Sequence, residues 1–581
     1  MRILPALASS LLAVGLSQAG EARPIEVSRE FSAADRKDVD AMAALAGRDR
    51  VTWNRRTALA WFFASVPEQD VQKVVKTVAA CAAQEGGTAD VAVALAVNER
   101  AGAILALLAK IPATQRLAAE TLATRAVMAY CIRVANAGAA AVKARPADGL
   151  QNPKLSQPKG LPGAAGDAAL VAALLPTKDR GVAERALIAA AYAGGADLIP
   201  AADAASAKGE VADACRLLLR ARHQQALEPA LVASIAAARP RPQIGEALPV
   251  LSLGELDVPA QCILLDAIIA AGDAAQVPVV ERLLAHPDLR IRVDACRAAR
   301  RLAAPALVGP LSAMLTDGQW PVLVEACAAL GEIGSPDAVE PLIAALKKRS
   351  GRLREDLVHA LASIAGAQEG RQSAEAWSAW WTGCKASFVP DPAATRAFRA
   401  AVRVQDVDLQ GYAAFYDMPI RSDRFAFILD ASGSMKADGK IDDLRSHATE
   451  AVRMLPQQVL FTVVDFGGHI TRLGGYEDIG VDRAAALKRI ASFELSMGGT
   501  RSIDAIAAGL SLRGIDTLYF LSDGDPNGLQ CDDWDRSCAM AALLTRHRPV
   551  ALGMISFHAG AGNAQGMWRM AVEHAGRFQG F

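Results

Sequence analysis

Residues 425–435 read FAFILDASGSM. Asp430, Ser432 and Ser434 alternate behind a run of large apolar residues, so one carboxylate and two hydroxyls stand where an extended segment turns through Gly433. Two later stretches carry donors of the same kind. MGGTRSID places Thr500 after two glycines, and LSDGDP places Asp523 at the start of a Gly/Pro turn. Five oxygen donors, only two of them charged, suit a hard divalent cation, Mg²⁺, Mn²⁺ or Ca²⁺, better than Zn²⁺. An ion left short of negative charge prefers an anionic ligand, most simply the Asp or Glu of a protein partner.

The elements that must position these donors follow from the apolar pattern. Phe425–Leu429 predicts a strand covered on both faces. After it, helical DDLRSHATEAVRML, strand-like VLFTVVDF, helical SIDAIAAGLSL, strand-like DTLYFLSD and strand-like PVALGMISF alternate toward the C-terminus. Alternation of this kind predicts crossovers and a mainly parallel sheet, with ligand residues at strand C-termini. Asp430, Ser432, Ser434, Thr500 and Asp523 in this order resemble the metal-ion-dependent adhesion motif of the von Willebrand factor type A domain. The resemblance covers 422–581, where the tail HAGRFQGF also looks like the family's closing passage. It implies a doubly wound, Rossmann-like α/β domain in which Ser432, Ser434 and Thr500 ligate directly and Asp430 and Asp523 act largely through water, an arrangement that Mg²⁺, which keeps several of its waters, fits best.

Upstream the chain is Ala/Leu/Val-rich, with 52% hydrophobic and only 5% aromatic residues, which predicts helices rather than a β-sandwich. Residues 1–19 order a positive charge, an apolar run and small-x-small as in a signal peptide, so export to a bacterial periplasm or the medium is expected. Residues 20–145 read as a helical region and 146–165 as a Pro/Gly linker. From 166 to 370 the pattern repeats, loosely at first, and from 262 with a period of 31: EACAALGEIG matches VDACRAARRL and DLVHALASIAG at that offset. GEIGSPDAVEPLIAAL and its neighbours resemble short HEAT-like repeats, which implies a helical solenoid offering a second protein-binding surface or a scaffold. AEAWSAWW, within 371–421, puts Trp377, Trp380 and Trp381 on one helix face suited to closing the end of the stack. Mg²⁺-type chemistry thus sits in the last of several regions: a multidomain chain, α-helical repeats followed by an α/β domain.

The remaining signals exclude more than they add. Lys plus Arg equals Asp plus Glu at 62 each, leaving no global field for nucleic acid. No stretch is long and apolar enough for a transmembrane span. Cys215, Cys262, Cys296 and Cys327 stand in apolar helical contexts as small core residues, at no zinc spacing. Cys531 and Cys538 flank a polar loop that a disulfide closes in an oxidising compartment; two free thiols are the alternative. GSMKADGKI departs from a phosphate-binding loop in spacing and in its last residue, and neither HExxH nor GxSxG occurs. His447, His469, Asp465 and Asp504 are candidates only for the rim or surroundings of the cation site. The expectation is therefore not an enzyme but an exported binding or adhesion-type protein, with an accessory or assembly subunit of a larger complex as the alternative.

Overall fold

The computed structural model describes residues 24–29, 31–49, 52–67, 69–140, 164–238, 258–366, 373–391, 412–474, 480–496, 499–512, 514–526, 533–557 and 560–580. The repeat period is written into the helices. Leu289–Leu302, Trp320–Ile333 and Gly351–Ala365 begin 31 residues apart, and the shorter second helices Val277–Leu284, Val308–Met314 and Val339–Leu346 keep the same interval. Each long helix stops at a left-handed residue, where a carbonyl of the last turn needs a donor that ordinary helical geometry no longer supplies. Gly272, Gly334 and Gly366 take that position at φ of 62°, 69° and 66°, while the intervening repeat uses Ala303 at 48°. Neighbouring long helices pack against one another, and helix Ala374–Cys384 closes the stack with Trp377 and Trp381 buried against helix Val339–Leu346.

The sheet has seven strands in the order β1-β6-β5-β4-β7-β8-β9, namely Pro24–Ser28 (β1), Ile470–Leu473 (β6), Leu460–Phe466 (β5), Arg424–Asp430 (β4), Thr517–Ser522 (β7), Ala551–Ser556 (β8) and Phe578–Gly580 (β9). β5, β4, β7, β8 and β9 are parallel; β6 and β1 add an antiparallel edge. A separate two-stranded ladder pairs β2 (Ala414–Phe415) with β3 (Met418–Pro419). From β4 the chain crosses to β5 on one side and later to β7 on the other. The C-terminal end of β4 is thus a topological switch point, where such sheets leave a crevice.

Both faces of β4 are buried, but in different company. Phe425, Phe427 and Leu429 pack with Leu444, Ala448 and Ile490 in a core of their own. Ala426 and Ile428 point the other way, into a core that includes Ile503 and Ile506 and runs on into the repeats. The sheet and the repeats are also held by polar contacts: Arg352 donates to the carbonyls of Asp516, at 2.6 Å, and Pro549. Arg536 meets Glu99 at 2.8 Å, and helix Gln115–Ala140 packs on helix Trp534–Leu544. Among the described residues no helix is long and apolar enough to cross a membrane.

One element departs from the sequence reading. PIEVS, inside the stretch read as helical from 20 to 145, is an edge strand paired with β6. Its partner lies more than four hundred residues away, so no local pattern announces it. Residues 1–19 and 146–163 lie outside the described residues, and helix Ala164–Leu174 begins where the expected linker ends.

Candidate metal centre

The geometry begins with β4, whose last residue is Asp430, fully buried. Its Oδ1 accepts from the Ser432 N–H at 2.8 Å and its Oδ2 from the Ser522 hydroxyl at 2.6 Å. Burial pushes the Asp430 carboxyl up to about 6; the bonds from Ser432 and Ser522 pull it back, and the charge of Asp523 adds to the rise. A buried carboxylate with hydroxyl and amide partners but no cation of its own is the kind of group a bound ion relieves.

Ser432 and Ser434 carry the line of oxygens outward. Their hydroxyls lie 3.0 Å apart, and Ser434 donates to Asp523 Oδ1 at 2.7 Å. Asp523, just past the end of β7, therefore meets the loop after β4 across the switch point. Thr500 precedes helix Ser502–Leu510 and is buried; a Cβ placed on Gly524 would stand 3.5 Å from its hydroxyl, so it flanks the same turn. The five sequence-predicted donors are thus gathered: four in a continuous hydrogen-bonded run, the fifth beside it. All are oxygens, as a hard cation requires, and they fit Mg²⁺ by type.

The loops are held from outside. The Ser496 N–H donates to the Ala431 carbonyl at 2.8 Å, and its hydroxyl accepts from the Gly468 N–H at 2.7 Å and contacts His469 Nδ1 at 3.2 Å. Asn563 donates to the Gly524 carbonyl at 2.8 Å and is itself oriented by Trp534 Nε1 at 2.8 Å. Three of these residues had no signature in the sequence: Ser522, Ser496 and Asn563 are polar residues of common type in unremarkable contexts. A fourth, Lys440, matters more. Its ammonium lies 2.7 Å from Asp523 Oδ2, with 14% of the lysine side chain and 1% of the aspartate side chain exposed. The chain therefore supplies one cation of its own at the edge of the cluster.

The other candidates have different employment. Asp465 forms a two-pronged pair with Arg489 at 2.8 and 2.6 Å. Asp504 holds Arg501 at 2.9 and 2.7 Å, and Arg501 reaches Thr57 and the Arg29 carbonyl, tying the loop of Thr500 to the N-terminal region. His447 stacks on Tyr416, with centroids 4.1 Å apart, and lies 3.6 Å from Asp443 Oδ1. Cys538 is buried in helix Trp534–Leu544; Cys531 lies outside the described residues.

Comparison with known proteins speaks to the repeats. A HEAT-repeat family profile matches residues 275–362, so the chain carries HEAT repeats there. No curated protein matches. Among solved structures, human deoxyhypusine hydroxylase in complex with glycerol is similar, at 17% identity over 57% of this chain and 98% of that one, with a TM-score of 0.19. The expectation that the chain is not an enzyme is withdrawn on this finding, since the similar chain is a hydroxylase. A TM-score of 0.19 equally assigns no activity here.

Proposed function

We propose that residues 422–581 form a von Willebrand factor type A domain that captures an acidic group of a protein partner through a divalent cation, Mg²⁺ before Mn²⁺ or Ca²⁺. The observation that carries this reading is the run of oxygens Asp430, Ser432, Ser434 and Asp523 across the switch point, with Thr500 beside it. When bound, the ion supplies an electron-poor centre for a carboxylate. The chain's own residues do the rest. Ser432 and Ser434 present hydroxyls, Asp430 and Asp523 supply charge and hold water, and Ser522 and Ser496 fix the loops. The HEAT repeats serve as a second surface or as the scaffold that carries the domain. The leader-like order of residues 1–19 is what supports reading this binding as exported, in the periplasm or the medium.

The test is calorimetric titration of the full chain with Mg²⁺, beside Asp430→Ala and Ser432→Ala. Saturable binding in the parent, lost in both variants while their circular dichroism is unchanged, supports the reading. Equal heats in all three proteins would overturn it.

A further inference from the structure

A second cluster lies where the sheet meets the repeats. Cys262 is on helix Ala260–Ala271, Asp294 on the adjacent helix Leu289–Leu302, and His547 in the turn between helix Trp534–Leu544 and β8. Their sulfur, oxygen and nitrogen atoms all lie within 4.8 Å of one another, the one such grouping among the described residues. We propose that these three residues bind a zinc-type transition-metal ion that clamps the sheet-bearing region onto the repeat stack.

Geometry, orientation and charge each favour this. His547 Nε2 and Asp294 Oδ2 are 3.1 Å apart. Bonds of about 2.0–2.3 Å in a tetrahedral zinc site set ligand atoms roughly 3.3–3.8 Å from one another, so an ion needs only small side-chain adjustments. Asp294 is already aimed. Arg297 Nη1 holds its Oδ1 at 3.2 Å and also donates to the Arg546 carbonyl, which leaves Oδ2 toward the histidine. An outer partner of this kind is what orients a ligating carboxylate. The Arg546 guanidinium, the cation on the Oδ2 side, is directed mainly elsewhere: it lies 2.5 Å from Asp266 Oδ2 and 3.9 Å from Asp294 Oδ2.

Around the cluster the buried carboxylates of Asp266, Asp294 and Glu325 face the buried Arg546 and the partly exposed Arg297. Arg300, 3.7 Å from Glu325, keeps 40% of its side chain exposed. A divalent ion that displaces the Cys262 thiol proton to solvent adds one net positive charge beside these three carboxylates. Thiolate with imidazole selects Zn²⁺ or Co²⁺ over Mg²⁺ and Ca²⁺, which sets this site apart from the oxygen cluster at β4.

The experiment uses the full chain, stripped with chelator and titrated with Co²⁺ in excess Mg²⁺, so that the oxygen cluster is filled. The expected result is a thiolate-to-cobalt charge-transfer band at one ion per chain, bleached by Zn²⁺. Cys262→Ser abolishes the band, Cys131→Ser retains it, and Arg297→Met weakens Co²⁺ binding about 10- to 100-fold. A parent chain without the band overturns the proposal even if every variant fails to fold. So does a band that survives in Cys262→Ser or vanishes in Cys131→Ser.

Discussion

The two polar clusters are built on opposite plans. The oxygen cluster is assembled from turns within one region, at the ends of β4 and β7, and opens to solvent at the exposed Ser434. The Cys262–Asp294–His547 cluster draws on two repeat helices and a turn of the sheet region and is flanked by Arg297 and Arg546. A cluster made of turns can exchange its ligand while the fold stays as it is. One made at a junction is completed only when the two parts meet, so whatever fills it contributes to holding them together. The first plan suits capture of a partner, the second suits a fixed joint.

The largest effect that tests this contrast lies at the joint. Arg546 is bonded to Asp266 and to the Tyr192 hydroxyl at 3.2 Å, and both Tyr130 and Tyr192 donate to the same carboxylate, at 3.0 and 2.5 Å. Burial holds the Asp266 carboxyl above its ordinary range, and Arg546 is the main group opposing that. Arg546→Met strands the carboxylate, and breaking a buried pair from one side costs about 3–5 kcal/mol. The expected readout is protease cleavage between the repeats and the sheet at denaturant concentrations that leave the parent intact. Mg²⁺ binding at the oxygen cluster should change little; a joint unaffected by the substitution would erase the distinction between the two plans.

A buried histidine in neither cluster provides the next test, because it fixes the acid limit within which the clusters are compared. His574 is buried, its Nδ1 lies 3.3 Å from the Thr545 hydroxyl, and its Nε2 has no partner among the described residues. Burial lowers its pKa to about 4. The unfolded chain, with an ordinary pKa of about 6.5, binds the proton first as pH falls. Stability from this group is therefore intact above 6.5, lost between 6.5 and 4, and constant below, a loss of about 3 kcal/mol. His574→Gln should remove that slope: the difference between parent and variant unfolding midpoints narrows as pH is lowered from 6.5 to 4. A pH-independent difference would mean that the imidazole is not isolated from protons in the folded chain.

How much of this the sequence disclosed depends on how far apart the partners lie. DASGSM is contiguous and follows an apolar strand, so the sequence shows where Asp430, Ser432 and Ser434 stand. Thr500 and Asp523 join them because each follows a recognisable break in pattern. The repeat period was legible because the same cap recurs, and the Ala303 cap was hidden because it departs from glycine. Cys262 stands in an apolar helical context like a core residue, and no spacing in the sequence singles out Asp294. Their meeting with His547 spans 253 residues from Asp294 and depends on how the sheet docks, which no local spacing encodes. β1 escaped for the same reason, a short strand whose partner is distant.

Lys440 gives the finest test, since it decides whether the oxygen cluster is a site in waiting or already satisfied. Its ammonium and the Ser434 hydroxyl together occupy both oxygens of Asp523. A charge-assisted bond of this kind contributes about 1.5–3 kcal/mol when dry, and less with the lysine partly in solvent. An ion that draws on Asp523 must offset that bond as well as the repulsion from the ammonium. Lys440→Met removes both terms and should tighten Mg²⁺ about tenfold, equivalent to ~1.4 kcal/mol, without moving the Co²⁺ band at the joint. Unchanged Mg²⁺ affinity would mean that the ammonium leaves without cost and that the cluster is tuned by its oxygens alone. Weaker Mg²⁺ binding would reverse the assignment, making Lys440 a support that holds Asp523 in place for the ion rather than its competitor.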